Sequence, residues 1–354
     1  MSVLPTASAA ALAEGYRSRV EEELERFLRR QQDRMATRAP EALVLLDELV
    51  RVLRAGGKRL RPVFTLWGHL AAGGEDGPGI VRAGAAVELV HTCAVIHDDV
   101  MDRSQLRRGE PTTFRRMAGD EAAERFGRSA AILAGDLALA LSDQLLRETG
   151  FPPPRVLEAF DHFNRMRIEA VGGQFLDLLS AERSPGDEGG ARRAAALKSG
   201  SYTVVGPLLV GGSLAGFDDG VKEVLTRYGL PLGEAFQLRD DVLGTFGDPS
   251  VTGKDRDTDI VEGKRTVLVA KAWQLGSPEV RRTLSERLGR PDLSADEVDE
   301  VREALRTSGA LAETIALIDS LAGSAKAALS GAAFEGEVVR ALEALADVVA
   351  VREA

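Results

Sequence analysis

Three aspartates at the end of an apolar stretch have the types and spacing to bind a metal ion together. Asp98, Asp99 and Asp102 follow residues 85–96, in which only three polar side chains interrupt the apolar ones. On a helix that advances about 100° per residue, Asp98 and Asp102 lie about 40° apart, and His91 falls between them two turns earlier. Carboxylates held this close resist ionising together unless a cation joins them. The spacing therefore predicts a divalent cation at the end of a buried helix.

The residues around this first acidic cluster (Asp98, Asp99 and Asp102) indicate what the cation would hold. Oxygen ligands without a cysteine and histidine set favour Mg²⁺, which completes its octahedron with water and phosphate oxygens. Arg107 and Arg108 follow closely, and a guanidinium matches phosphate oxygens in bidentate geometry. An isolated DDxxD is more often a solvated acidic turn. Its position at the end of an apolar helix favours a phosphate-binding site here.

A basic loop with the sequence GGKRLRP, residues 56–62, precedes the third predicted helix. Its two glycines allow the backbone to approach a ligand closely, and three cations crowd into four positions. By itself this pattern is more typical of a glycine cap followed by an ordinary basic turn. Beside an acidic cluster it suits an anion.

A second acidic cluster, Asp240 and Asp241, lies in the sequence FQLRDDVLG. On a helix, Gln237 lies about 60° from Asp240 and Gly244 about 40° from it, so this face repeats the first cluster with one carboxylate missing. Asp248 could replace that carboxylate. However, the glycines and the proline around it suggest that the helix ends first, which leaves the direction of its side chain open.

Further lysines lie in segments that could face an anion. Lys198 and Ser199 precede an uncharged stretch, although a lone lysine there is usually a capping residue. Lys254 and Lys264 follow the second acidic cluster in a polar loop that could close over an anion. Gly172 and its neighbour interrupt a predicted helix, and we expect a close contact or a ligand there.

Composition predicts an all-α protein. The chain has 354 residues, of which 44% are hydrophobic and only 5% aromatic, and apolar residues recur at helical spacing without strand alternation. A net charge of −10 argues against a nucleic-acid partner. The single cysteine excludes an intrachain disulfide and fits a reducing, cytoplasmic location. Residues 202–217 lack charge but are too few to span a membrane, so no transmembrane segment is predicted.

The predicted architecture is one large helical bundle around a central apolar cavity. Residues 1–15 have neither a basic region nor a long apolar run, and we expect a disordered start rather than a signal peptide. Residues 16–354 contain no evident linker and are predicted to form a single domain. The helices that carry the two acidic clusters would face each other across the cavity, as facing helices do when bundles build metal sites.

With both acidic clusters and the basic loop, the sequence resembles trans-isoprenyl diphosphate synthases of the polyprenyl synthetase family, most closely bacterial geranylgeranyl diphosphate synthases. The resemblance covers roughly residues 56–266. It implies an all-α enzyme, usually a homodimer, that uses Mg²⁺ to condense isopentenyl diphosphate with dimethylallyl, geranyl or farnesyl diphosphate. It further implies three Mg²⁺ ions per active site, with Mn²⁺ as a possible substitute.

The resemblance also assigns roles to individual residues. The positions that bind metal are Asp98, Asp99, Asp102, Asp240 and Asp241. The positions that hold the allylic diphosphate are Arg107, Lys198, Ser199, Gln237, Lys254 and Lys264. The positions that hold isopentenyl diphosphate are Lys58, Arg61, His91 and Arg108. With the metal-binding aspartates, Arg107 and Lys198 form the catalytic set.

Three small or medium residues predict the product length. Ala94 lies one turn before Asp98 on nearly the same face, and Val90 continues down that side. Short-chain members of the family often place an aromatic floor at the positions of Cys93 and Ala94, and both are small here. We therefore predict a product longer than farnesyl diphosphate, namely geranylgeranyl diphosphate, with a longer polyprenyl diphosphate as the alternative.

Two other functions compete with this prediction. A class I terpene cyclase also ionises a prenyl diphosphate at a DDxxD motif, but it needs neither the basic loop nor a second pair of aspartates. A non-catalytic partner subunit would be expected to lose acidic ligands, whereas this chain retains five in its two clusters. In the second motif, DDVLG, Gly244 stands where many relatives have the last aspartate. That departure leaves only the role of Asp248 in doubt.

Overall fold

The computed structural model describes residues 7–182, 184–247 and 258–351. It is an α-helical structure with a single two-stranded hairpin in this part of the chain. The elements are α1 (Ala7–Arg38), α2 (Leu43–Arg54), α3 (Leu60–Ala71), α4 (Pro78–Met101), β1 (Leu106–Arg107), β2 (Glu110–Pro111), α5 (Thr113–Ala118), α6 (Glu124–Arg147), α7 (Pro153–Leu178), α8 (Glu188–Ala195), a π-helix (Ala196–Val205), α9 (Gly206–Ala215), α10 (Asp219–Phe246), α11 (Thr258–Val261), α12 (Val267–Leu275), α13 (Pro278–Arg287), α14 (Ala295–Thr307), α15 (Ala310–Ala328) and α16 (Gly336–Val351).

Internal contacts divide the chain into two compact units. The first unit comprises Met1–Phe163, Pro207–Lys222 and Phe334–Ala341, and the second comprises Asn164–Gly206, Glu223–Ala333 and Leu342–Ala354. The first acidic cluster and the basic loop belong to the first unit. The second acidic cluster and Lys198 belong to the second. Each unit therefore carries one half of the predicted site.

Helix α4 is the central element of the first unit and packs against α1, α3 and α6. Most of its side chains are buried, including Leu89 and Ile96, which are fully enclosed. Burial on nearly all sides explains why its sequence is apolar with little amphipathic pattern. Helices α4 and α6 are long and apolar enough to cross a membrane. The core helices of globular proteins often have the same length and composition, and 72% of the most apolar 18-residue segment of α4 is buried inside the fold.

The beginning of the chain differs from expectation. Helix α1 starts at Ala7, so residues 7–15 are helical, whereas the disordered start was predicted to extend to residue 15. The alanine-rich sequence there has high helix propensity, which a signal-peptide criterion does not measure. Tyr16 then anchors the helix, because its ring is fully buried and its hydroxyl donates a 2.8 Å hydrogen bond to the Ile80 carbonyl of α4.

The second unit has its own apolar core. Helices α11 to α15 contribute buried side chains to one cluster, which includes Ile260, Leu268, Leu284, Val301 and Ala310. Ser294 and Glu297 form the predicted capping box at the start of α14, with reciprocal bonds between side chains and backbone. Lys264 lies between α11 and α12, so this packed scaffold flanks it on both sides in sequence.

Candidate active site

The first acidic cluster lies at the end of α4, as its spacing predicted, with Asp98 and Asp99 in the last turn and Asp102 as the C-cap residue. Arg107 binds it. Arg107 donates from Nε to Asp99 Oδ1 at 2.7 Å and from Nη2 to Asp98 Oδ2 at 3.4 Å. Asp99 is only 3% exposed. Burial raises the pKa of Asp99 to about 6, Arg107 opposes that rise, and the charges of Asp98 and Asp102 add to it. The cluster thus holds more negative charge than one guanidinium neutralises.

A tight hairpin positions the two arginines. Strands β1 and β2 pair Arg107 with Glu110, and the turn between them is Arg108-Gly109, with φ of 55° and 78°. Two successive positive φ values are typical of a type I′ turn, which suits the twist of a two-residue hairpin. Arg107 on the strand therefore points to the acidic cluster, and Arg108 in the turn reaches elsewhere. The hairpin was missing from the sequence prediction because its strands are only two residues long.

Arg108 connects this hairpin to the basic loop. Its Nη1 donates to the carbonyls of Ala55, at 3.3 Å, and Gly56. Gly57 has φ of 153°, and a Cβ there would lie 3.2 Å from Arg108 Nη2. The two glycines of the loop therefore let the backbone turn and approach the arginine closely. The first unit thus brings together two cationic segments that are about 50 positions apart in sequence.

His91 lies among the cations of this half of the site. Burial lowers its pKa well below the usual value, and the charges of Arg61, Arg107, Arg108 and Arg59 lower it further, in that order. His91 is therefore neutral at physiological pH, and it can offer a hydrogen bond without adding charge. Lys58 is exposed and Arg61 half-buried at the start of α3. The structure thus gathers Arg61, His91 and Arg108 as predicted, with Lys58 on the same loop.

Arg59 differs from the other cations of the loop because its side chain faces inward. Its guanidinium bonds Glu88 at 2.6 Å, Glu21 at 3.1 Å and the Leu53 carbonyl at 2.5 Å, and both Arg59 and Glu88 are buried. Arg59 itself adopts a left-handed conformation with φ of 48°. It fastens the loop to α4 rather than contributing to an anion site. Glu88, an acid within an apolar helix, was the sequence signal for this partner.

In the second unit, a π-helix carries the predicted diphosphate residues Lys198 and Ser199. Lys198 donates to Asp177 Oδ2 of α7 at 2.6 Å, and Ser199 donates to the side-chain carbonyl of Gln237 on α10. The Gln237 amide in turn donates to Asp241 Oδ1 at 2.6 Å. Wide helical turns of this kind occur frequently at functional sites. Hydrogen bonds thus join Ser199, Gln237 and Asp241 as predicted, and Lys198 is held by Asp177, an acid that the sequence analysis did not select.

Two glycine contacts hold the π-helix in place. A Cβ at Gly173 of α7 would lie less than 3.0 Å from the backbone of Lys198, and a Cβ at Gly233 of α10 would lie less than 3.0 Å from Gly200. Backbone can meet backbone this closely only where both side chains are absent or turned away. The interruption at Gly172 and Gly173 is therefore a close contact, one of the two possibilities that the sequence left open.

The second acidic cluster is half-buried and has additional acidic neighbours. Burial raises the pKa of Asp241 to about 8, and the charges of Asp259, Asp177 and Asp240 contribute, whereas the Gln237 hydrogen bond opposes the rise. Lys264 contacts Asp259 at 3.1 Å and Glu262 at 2.9 Å. The predicted residues Lys254 and Asp248 lie outside the described residues. The sequence analysis missed Asp259 because the sequence between α10 and Asp259 has no periodic pattern from which their contact could be predicted.

The donor set of both clusters suits a divalent cation. The candidate ligands are carboxylate oxygens, and two of the five have a raised pKa because negative charge is crowded in a partly buried place. Within the described part of the chain, no three acidic, histidine or cysteine side chains converge closely enough to coordinate one ion alone. Mg²⁺ takes one or two carboxylates and leaves its other positions to water and phosphate.

Cation binding should release a proton from Asp241. With a pKa of about 8, roughly nine in ten Asp241 side chains are protonated at pH 7 and about one in ten at pH 9. Because a ligating carboxylate must be ionised, affinity for the cation should rise between these pH values. The test is to titrate the protein with inorganic diphosphate in excess MgCl₂ and to count released protons by calorimetry in buffers of different ionisation enthalpy. At pH 7 we expect the wild type to release about 0.9 more protons than Asp241→Asn.

The Asp241→Asn variant is the control because protons lost by the diphosphate itself are common to both proteins. The difference should shrink to about 0.1 proton at pH 9. Equal proton release by the two proteins at pH 7 would mean that Asp241 is already ionised there.

Comparison with known proteins identifies the family. The sequence model described as polyprenyl synthetase matches residues 44–305. The chain is 34% identical to a geranylgeranyl diphosphate synthase of Sulfolobus acidocaldarius, over 72% of this chain and 74% of that protein. It is also 34% identical to a geranylfarnesyl diphosphate synthase of Aeropyrum pernix, over 74% of this chain and 79% of that protein.

A solved structure agrees with the sequence comparisons. The fold is similar to that of geranylgeranyl pyrophosphate synthase from Corynebacterium glutamicum complexed with isoprenyl diphosphate and magnesium, with a TM-score of 0.89 and 35% identity, covering 95% of this chain and 98% of that one. Together with the carboxylates paired with arginine in the first unit and with lysines in the second, these likenesses support one conclusion. The chain belongs to the polyprenyl synthetase family and is a trans-prenyltransferase with a divalent metal cofactor.

Proposed function

We propose that the protein condenses isopentenyl diphosphate with an allylic diphosphate to give geranylgeranyl diphosphate. The observation that carries this proposal is the pairing of acids with cations in both units. Arg107 binds Asp98 and Asp99 in the first unit, and lysines bind Asp177 and Asp259 in the second. Carboxylates that recruit a cation, next to cations that recruit an anion, are what a metal-bound diphosphate requires.

The metal ligands proposed for this chain are the carboxylates of both acidic clusters. We propose Mg²⁺ as the ion, three per active site, with Mn²⁺ as a functional substitute. When bound, Mg²⁺ stabilises the negative charge that the leaving diphosphate develops. Arg107 and Lys198 can stabilise the same charge from the protein side, because both are held in place before the reaction by the acids they contact.

The reaction itself needs no protein nucleophile. The bond between the allylic carbon and its diphosphate oxygen breaks, and the double bond of isopentenyl diphosphate attacks the carbocation, forming one carbon–carbon bond. A proton then leaves the condensed product, and we assign the released diphosphate as its acceptor. The arginines beside His91 can hold the isopentenyl diphosphate so that its double bond stays beside the cation, which turns an encounter into a positioned reaction.

Water must be kept from the carbocation. In α4 most side chains one and two turns before the first acidic cluster are apolar or small, and Val90 and Cys93 are buried. Three polar side chains interrupt that stretch: His91, which is neutral, Thr92, whose hydroxyl donates to the Glu88 carbonyl, and His97, whose Nε2 bonds the Ile132 carbonyl. An enclosed apolar wall of this kind favours transfer to the second substrate over hydrolysis.

Release of inorganic diphosphate separates the proposed reaction from that of a cyclase. With MgCl₂ present, diphosphate should be released only when isopentenyl diphosphate and an allylic diphosphate are supplied together, and EDTA should abolish its release. Release from geranylgeranyl diphosphate alone, with a hydrocarbon product, would instead identify a terpene cyclase. Failure of the purified protein to release diphosphate from any pair would favour the partner-subunit function.

Enlarging Ala94 should shorten the product. Ala94 is half-buried one turn before Asp98, so a phenyl ring there would occupy space along the path of the growing chain. We expect Ala94→Phe to shift the main product from geranylgeranyl to farnesyl diphosphate, measured as the dephosphorylated alcohols by mass spectrometry. Ala94→Ser, which adds only one atom, is the control and should keep the longer product. An unchanged product from Ala94→Phe would mean that residues other than Ala94 limit the length of the product.

We also propose that the protein is a homodimer that associates through an apolar stripe on α7. Ile168, Val171 and Phe175 are 71%, 72% and 60% exposed, and Leu178 continues the same face of the helix. A contiguous exposed apolar surface commonly marks an interface. Val171→Asp should convert the dimer to a monomer in light-scattering chromatography. Leu275→Asp, at an exposed apolar residue on α12, is the control; a wild-type monomer would refute the proposal.

A further inference from the structure

The second acidic cluster lacks the carboxylate that its motif would carry at position 244, and the structure shows which side chain occupies that space. Gly244 lies one turn after Asp240 on α10. A Cβ built at Gly244 would lie less than 3.0 Å from Asp259 Oδ2, and all three of its nearest neighbours belong to the Asp259 carboxylate. A side chain at 244 and the present position of Asp259 are therefore mutually exclusive.

The two oxygens of Asp259 have different surroundings. Oδ1 accepts a 3.1 Å hydrogen bond from Lys264 Nζ, and the backbone N–H of Lys264 donates to the Asp259 carbonyl at 3.1 Å. Oδ2 is the atom directed at position 244. Lys264 thus fixes the carboxylate by one oxygen and leaves the other on the face of α10 that carries Asp240 and Asp241.

We propose that Asp259 supplies the carboxylate that the second motif lacks at position 244. Asp240, Asp241 and Asp259 are then the three carboxylates that face the divalent cation in the second unit. The inference rests on the proposed function and deepens it. It assigns the missing ligand to a residue 15 positions further along the chain. It also explains why position 244 is glycine, since any larger residue would displace the carboxylate.

Moving the carboxylate back to α10 tests this directly. Asp259→Asn keeps the size of the side chain and removes its charge. Gly244→Asp combined with Asp259→Ala restores the charge at the motif position and removes the Asp259 carboxylate, whose Oδ2 would clash. Gly244→Asp alone retains the clash. Thermal melting without ligand checks that each variant folds, and stabilisation by MgCl₂ with inorganic diphosphate as the probe measures cation binding independently of turnover.

We expect Asp259→Asn to raise the MgCl₂ concentration for half-maximal stabilisation by about 10- to 100-fold, the usual effect of losing a group that supports a metal site. The Gly244→Asp, Asp259→Ala double variant should recover most of this affinity, and Gly244→Asp alone should not. Recovery would separate the proposal from a role in holding Lys264, because the double variant lacks that ion pair.

Three results would overturn the inference while leaving the proposed function intact. The first is an Asp259→Asn variant with the wild-type Mg²⁺ requirement. The second is a double variant as weak as Asp259→Asn, which would limit Asp259 to positioning Lys264. Loss of affinity in Asp248→Asn but not in Asp259→Asn would likewise assign the missing carboxylate to Asp248. A wild-type protein that neither binds Mg²⁺ with diphosphate nor elongates any primer would refute the proposed function itself.

Discussion

Replacing Asp98 by asparagine should lower kcat by roughly 10²- to 10³-fold, the range found when one preorganised charge-stabilising group is removed from an active site. Asp98 is half-buried at the end of α4, and its Oδ2 accepts from the Nη2 group of Arg107 at 3.4 Å. The variant loses a carboxylate for the cation and one of the two anchors of the guanidinium. Because asparagine has the same shape, the melting temperature should change little.

A second aspartate near α4 provides the control for Asp98→Asn. Asp136 of α6 lies 3.9 Å from His97 and is exposed, outside either acidic cluster. Asp136→Asn removes the same charge from the same unit, and we expect its steady-state kinetics to match the wild type. If Asp98→Asn retained wild-type kcat at saturating MgCl₂, the first acidic cluster would not be the cation site.

Adding one methyl group at Gly173 should reduce kcat/KM for the allylic substrate by about 10²-fold, the effect expected when a catalytic group moves by about 1 Å. The new Cβ would meet the backbone of Lys198, which cannot move aside by changing rotamer. The π-helix must therefore shift, and Lys198 shifts with it. The same overpacking should destabilise the fold by about 1–3 kcal/mol. Steady-state kinetics and thermal unfolding measure the two effects.

The adjacent Gly172 is the matched control. A Cβ at Gly172 would meet no atom within 4 Å. Gly172→Ala should therefore keep wild-type kinetics and, in a helix interior, stabilise the fold by about 0.5–1 kcal/mol. Equal activities for the two alanine variants would contradict the idea that Gly173 positions Lys198.

Local sequence patterns predicted the helices that carry the acidic clusters because the aspartates of each cluster are only a few residues apart in sequence. Asp98 and Asp102 share a face by periodicity alone, and α4 holds them as expected. Partners distant in sequence could not be predicted this way. The contacts of Lys198 with Asp177 and of Arg59 with Glu88 join residues 21 and 29 positions apart, across turns that no periodicity describes.

Backbone conformation was the other limit of the sequence analysis. The π-helix at 196–205 hydrogen-bonds in wider turns than an α-helix, yet its apolar pattern predicts an ordinary helix. The Arg108-Gly109 turn depends on a non-glycine residue in the left-handed region, which composition does not signal. Both features orient predicted diphosphate ligands. The sequence thus identified the types of the site residues, but the directions of their side chains depend on the backbone conformation of the folded protein.

Relatives do not decide the product length by themselves. A geranylgeranyl and a geranylfarnesyl diphosphate synthase are equally identical to this chain, at 34%. Overall identity therefore does not distinguish a 20-carbon from a 25-carbon product. Cys93 and Ala94 are the residues whose small size carries the proposal of a 20-carbon product.

The most direct measurement is the size of the product that the purified protein makes. Isopentenyl diphosphate and MgCl₂ are supplied with dimethylallyl, geranyl or farnesyl diphosphate in turn, and the products are dephosphorylated and identified by mass. We predict geranylgeraniol as the single main alcohol from each primer that is accepted. Longer prenols would support the proposed reaction but would mean that residues beyond Cys93 and Ala94 limit the product length. The absence of any elongated prenol with all three primers would contradict the catalytic account.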